Sequence, residues 1–112
     1  MKYFVTGQER AGTCYHEFMK GKWDGVSFWK EDSICLHDDI LYESGGFEKA
    51  IAAAAPSYNP WGATEISRRQ WEEIGKLVAA GDDEKCRELY READDWAQDV
   101  FPAFECFTIL GI

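Results

Sequence analysis

The chain has 112 residues, 46% hydrophobic and 15% aromatic with five Trp, and its 21 acidic against 12 basic side chains give a formal net charge of −9. A disordered acidic tail is poor in aromatics, so this composition describes one folded domain large enough to bury a core without staples. So negative a surface repels phosphate backbones, which excludes nucleic acid as the expected partner and favours capture of a basic protein.

In chain order, Tyr3–Thr6 is a short apolar run closed by Gly7. Thr13–Lys20 alternates, with Cys14, His16 and Phe18 expected on one face and Tyr15, Glu17 and Met19 on the other. The Asp24-Gly25 pair is a tight-hairpin signal, because type I′ turns need positive φ. Val26–Lys30 then reads as a third strand and Ser33–His37 as a fourth, so the first third predicts a β-meander. Ser44-Gly45-Gly46 breaks the pattern, and Ala-rich Phe47–Ala55 predicts a short helix stopped by Pro56. A Pro/Gly loop around Trp61 precedes a short strand at Ala63–Ile66.

Ser67-x-x-Gln70 fits a capping box. Trp71, Ile74, Leu77 and Val78 recur at helical spacing behind it, and Gly81 is placed as the C-terminal cap. Asp82-Asp83-Glu84 opens a second helix, whose apolar stripe of Cys86, Leu89, Tyr90, Ala93, Trp96, Ala97 and Val100 ends before Pro102. Phe104–Leu110 is apolar on both faces, which places it inside a sheet rather than at an edge. The expected fold is a single α+β domain over residues 1–112: a mainly antiparallel sheet, made of the meander and the C-terminal strand, with a helical hairpin packed on one face. No apolar h-region follows Met1 and no run approaches transmembrane length, so a cytoplasmic protein with four free thiols and no membrane partner is expected.

Two constellations bear on chemistry. Cys14-x-His16 and Cys35-x-His37 have the ligand types of a tetrahedral zinc site, or of a Cys–His nucleophile with Asp38 or Asp39 as orienter. Their spacing departs from that of zinc knuckles, and a free Cys packs as a small hydrophobe, so a small zinc or thiol enzyme is the alternative reading. No phosphate loop, dinucleotide fingerprint, nucleophile elbow or zincin motif is present, the balance leans away from an enzyme, and no cofactor is expected.

The second constellation is acidic. Asp94, Asp95 and Asp99 lie in the last turns of the second long helix, where its dipole disfavours anions. Arg91 can partner one of them, no Lys or Arg follows it, and Glu105 adds a further charge. Local rules broken without local compensation mark a candidate site, weighed here against a merely solvated helix face. Trp71 and Trp96 are expected in the core. Trp23, Trp29 and Trp61 fall at a turn, in a strand and in the Pro/Gly loop, where an exposed Trp beside acids would anchor a basic partner.

Trp61-Gly62-Ala63-Thr64-Glu65-Ile66-Ser67, with Trp71, and the ending Phe107-Thr108-Ile109-Leu110-Gly111-Ile112 resemble a pattern in small uncharacterised bacterial proteins, one associated with immunity proteins of toxin–immunity systems. The resemblance covers the C-terminal half and carries no catalytic motif. It implies a cytoplasmic inhibitor that occludes the active site of a toxin domain, often a basic nuclease. In that role the aspartates would mimic substrate phosphates. A non-catalytic adaptor subunit is the blander alternative.

Overall fold

Alternation of apolar residues shapes a five-stranded sheet. The computed structural model describes residues 1–111. Its strands are β1 (Phe4–Thr6), β2 (Tyr15–Lys20), β3 (Ile34–His37), β4 (Ala63–Ser67) and β5 (Cys106–Leu110), and its helices α1 (Asp38–Ser44), α2 (Gly46–Ala54), α3 (Arg68–Ala80) and α4 (Glu84–Val100). The sheet order is β1-β3-β2-β5-β4 and every neighbouring pair is antiparallel. The fold is α+β, as composition and pattern indicated.

The register decides which side chains share a face. Phe18 lies opposite Ile34 and Ile109, Leu36 opposite Phe4, and Phe107 opposite Ile66. This face joins Leu41, Phe47, Ile51, Trp71, Ile74, Leu89 and Ala93 from the four helices in one buried cluster. Phe18 is central there: Phe107 stacks on it at 5.6 Å and Phe4 meets it edge-on at 5.2 Å. β5 sits between β2 and β4 with all five residues buried, as expected of a strand apolar on both sides.

Three expectations for the first third are corrected. The order β1-β3-β2 is not a meander, because the first strand pairs with the third. Val26–Lys30 forms no strand. The Asp24 carboxylate accepts from the N–H groups of Val26 (2.8 Å) and Ser27 (2.7 Å) and from the Ser27 hydroxyl, so Asp24-Gly25 opens a side-chain-capped turn rather than a hairpin. Finally, α1 escaped the sequence reading: His37 Nδ1 caps it by accepting from Asp39 N–H, and Asp38 and Asp39 suit its first turn.

The 21–33 loop does something else instead. It crosses the second face of the sheet, where Tyr15, Glu17, Met19, Cys35, Thr108 and Leu110 are all buried. The Glu17 carboxylate, 1% exposed, accepts from Trp29 N–H at 2.7 Å and Lys30 N–H at 2.9 Å. Trp29 is held at φ 58°, a left-handed conformation unusual for a bulky residue. The Thr108 hydroxyl donates to the Gly21 carbonyl at 2.8 Å, fixing the loop's start. Gly21, at φ 73°, has no room for a side chain, since a Cβ there would stand 2.8 Å from the Phe104 ring.

The C-terminal half follows the sequence closely. Ser67 and Gln70 form the capping box of α3, with bonds of 3.1 and 2.9 Å. Gly81 caps its end through N–H to the Val78 carbonyl, but at φ −87°, without the left-handed conformation that favours glycine. Asp83 caps α4. No helix is long and apolar enough to cross a membrane among the described residues.

The Asp24 turn gives a pH test. Its hydrogen bonds pull the Asp24 carboxyl from its ordinary 3.8 down to about 2, with the Ser27 hydroxyl the largest cause. A folded value below the unfolded one stabilises the turn fully above about pH 4, and that contribution is lost as pH falls toward 2. Amide exchange at Val26 and Ser27 should therefore quicken on acidification through that window, and Asp24→Asn should remove most of the dependence.

Candidate functional site

Residues 88, 92, 95 and 99 of α4 recur at helical spacing and form one acidic stripe. Its first half is used internally. Glu92 accepts from the backbone N–H groups of Lys2, Tyr3 and Phe4 at 2.9–3.1 Å. Glu88 accepts from the Tyr3 hydroxyl at 3.0 Å and pairs with Lys2 at 3.2 Å; these two contacts, the hydroxyl first, hold its carboxyl below the ordinary range. The helix thereby fastens the otherwise unpaired edge segment of the chain.

The second half is free. Asp95 and Asp99 are exposed and, among the described residues, make no hydrogen bond or ion pair from their carboxylates. Trp96, between them in sequence, donates its indole N–H to the Asp32 carbonyl at 2.9 Å. That contact draws the exposed Glu31-Asp32 pair of the loop to the same stretch of helix. Glu105 is exposed in the turn after α4. Beside it stands Phe104, 43% exposed, against Gly21. The loop leaves Gly21 toward Trp23 and Phe28, whose rings lie 5.4 Å apart, with Phe28 55% exposed. The Trp96–Asp32 and Phe104–Gly21 contacts thus bring both ends of the 21–33 loop to the last turns of α4 and the turn after it.

The other predicted residues are placed differently. Asp94 faces α3 rather than solvent. Its Oδ1 accepts from the Trp71 indole N–H and the Gln98 amide, both at 2.9 Å, so the acid that lacked a local partner has a tertiary one. Trp61 is 79% exposed but lies beside Gly111, at the far end of β5 from Glu105. Trp23 is half-buried and bonded to the Ser27 carbonyl at 2.8 Å. Trp29 is half-buried beneath the Arg10 guanidinium, 3.9 Å from its ring centroid. Trp71 is core, as expected, whereas Trp96 is only half-buried. Phe28 and Phe104 were missed because the first was assigned to a strand that does not form and the second to a strand that begins two residues later.

The zinc and thiol reading meets a geometric obstacle. His16 lies opposite Leu36, on the helix-covered face, whereas Cys35 and His37 lie opposite Glu17 and Tyr15 on the other face. Cys14 is exposed in the segment before β2. The four residues therefore do not converge, and no group of three or more metal-ligating side chains gathers among the described residues. His16, 1% exposed, places Nε2 2.7 Å from Asp38 Oδ1, a pairing that ties β2 to the start of α1. Burial first, and the Glu17 charge second, push the Cys35 thiol up to about 12. Burial likewise raises Cys86 and Cys106, against what a thiolate nucleophile needs. A disulfide-exchange reagent should therefore label Cys14 rapidly and the other three only on unfolding; fast native labelling of two or more thiols would contradict this burial pattern.

No protein-family model, curated protein or solved structure matches this chain.

Proposed function

We propose that the chain is an acidic protein-binding module. Its partner face is the free half of the α4 stripe, Asp95 and Asp99, extended by Glu105 and by the exposed rings of Phe104 and Phe28. One observation carries this reading: the stripe is saturated by the chain itself at Glu88 and Glu92 and left without a partner at Asp95 and Asp99. Exposed carboxylates steer a basic partner, and nearby aromatics supply the apolar area that gives a contact its strength.

The finer reading, an immunity-type protein of the bacterial cytoplasm that occludes a basic toxin domain, rests on the sequence resemblance together with this charge. Carboxylates presented on a rigid helix suit mimicry of a phosphate backbone. The reading is tested by titrating a basic domain, should one be encoded beside this chain's own gene, against the protein and its Asp95→Lys/Asp99→Lys variant. The expected loss is about tenfold or more in affinity with unchanged thermal stability. Equal affinity would remove this face from the interface.

A further inference from the structure

A second surface has the opposite chemistry. In a chain of net charge −9, three of the five arginines line the groove between α3 and α4. The groove comprises two adjoining cavities of about 320 and 230 Å³ that share Tyr90 and Asp94. Arg87 and Arg91 stand at one end, beside Val78 and Ala79. Arg68 stands at the other, beside Gln98 and Phe101.

The floor is built rather than incidental. Tyr90 stacks on Trp71 with centroids 4.4 Å apart and an interplanar angle of 21°, and its hydroxyl donates to the Trp71 carbonyl at 3.2 Å. Asp94 holds the Trp71 indole from the other side. Glycine at position 75 makes the arrangement possible, since a Cβ there would lie 2.5 Å from Tyr90 Oη. Glycine inside a helix costs about 1 kcal/mol against alanine, so this position gives up helix stability to let the Tyr90 ring pack against α3. Burial and the neighbouring Asp94 and Glu72 charges push the Tyr90 phenol up to about 12, so it is a neutral donor at ordinary pH.

The arginines differ in how far they are committed. Arg87 bonds the Gly81 carbonyl and pairs with Glu84 at 3.3 Å. Arg91 forms no ion pair among the described residues, and Arg68 has only the Phe101 ring, 5.6 Å away. An uncommitted guanidinium beside an apolar, aromatic floor is a carboxylate receptor. Asp94 and Glu72 in the same groove oppose a second negative charge, so a polyanion such as a nucleotide is a poor fit.

We infer that the α3–α4 groove binds a small organic monocarboxylate with a flat apolar body, its carboxylate on Arg91 and its body over Tyr90, Val78 and Ala79. This site uses the stripe of α4 that carries Arg87, Arg91 and Asp94, next to the stripe of Asp95 and Asp99 proposed above, and its ligand chemistry does not depend on that proposal.

The test uses the intact protein and two commercial probes, indole-3-acetate and the neutral indole-3-acetamide. Binding is read from the chemical shifts of the Trp71 indole N–H and the Tyr90 ring. The acid should shift both saturably and bind about tenfold or more tightly than the amide. Arg91→Gln, an exposed substitution with no fold at risk, should abolish the difference between acid and amide. Absence of a saturable shift up to about 10 mM acid overturns the inference, the weakest affinity worth calling a site being millimolar. So does equal binding of acid and amide, or an undiminished preference for the acid in Arg91→Gln.

Discussion

Replacing Glu17 with alanine is expected to lower the unfolding free energy by about 2 kcal/mol, because two partly buried backbone donors lose their acceptor at once and each falls near the low end of the roughly 1–3 kcal/mol cost of an orphaned donor. Those donors are the N–H groups of Trp29 and Lys30. They belong to the loop that seals the second face of the sheet, and Glu17 holds Trp29 in its left-handed conformation. The damage should therefore spread. Loss of the anchor would open Cys35 and Met19 to water, and the normally silent Cys35 thiol should become reactive toward a disulfide-exchange reagent. Glu17→Gln keeps one acceptor oxygen and nearly the same shape, so about half the loss is expected. Urea unfolding of both variants measures the effect. A Glu17→Ala protein within about 0.5 kcal/mol of the parent would show that the loop is held by something else.

Asp94→Ala is expected to cost about 2 kcal/mol, because Trp71 is buried and its indole N–H would lose its acceptor. Asp94→Asn retains an oxygen for that bond and should cost well under half as much. Asp95→Ala and Asp99→Ala, on exposed positions without intramolecular partners, should stay within about 0.5 kcal/mol of the parent. Three acids within six residues of one helix are thereby separated by urea titration into one that holds the core and two that are free for a partner. Equal stability losses at all three positions would contradict that division.

The C-terminal half was legible in the sequence because its signals are local. A capping box, two apolar stripes at helical spacing and a doubly apolar last strand each state their own structure, and α3, α4 and β5 follow within a few residues. The N-terminal third was less legible because long-range contacts decide it. Asp24-Gly25 carries a hairpin signal, but the buried Glu17 carboxylate seven residues earlier captures the chain beyond the turn and holds it as a loop. Pairing of β1 with β3 depends on that loop's path, which no local pattern encodes. Alternation along β2 separated its two faces but did not show that the loop buries the second as the helices bury the first. The zinc candidates failed for a related reason. Spacing i, i+2 places each Cys-x-His pair on one face of its strand, but the register between β2 and β3 sets the two histidines on opposite faces.

The acidic cluster was half legible. The excess of aspartate near the end of α4 was visible, but its tertiary use was not. Asp94 finds Trp71 across the α3–α4 contact, 23 positions away in sequence. Glu92, unremarked as a functional group, secures the first strand through three backbone donors. The exposed aromatics of the proposed face, Phe28 and Phe104, emerge only when the loop and the turn after α4 are placed. Of the three arginines in the α3–α4 groove, Arg87 and Arg91 lie 19 and 23 residues after Arg68 in sequence, and only the packing of the two helices brings them to one groove.

The most direct test of the proposed acidic face is a map of backbone amide shifts as the proposed basic partner domain is titrated into the isotope-labelled protein. The account predicts that the perturbed amides centre on Asp95, Trp96 and Asp99 and extend to Phe104, Glu105 and Phe28, and that the perturbation weakens with added salt. Shifts centred instead on Trp61 and the β4 edge, with residues 95–105 unmoved, would contradict it.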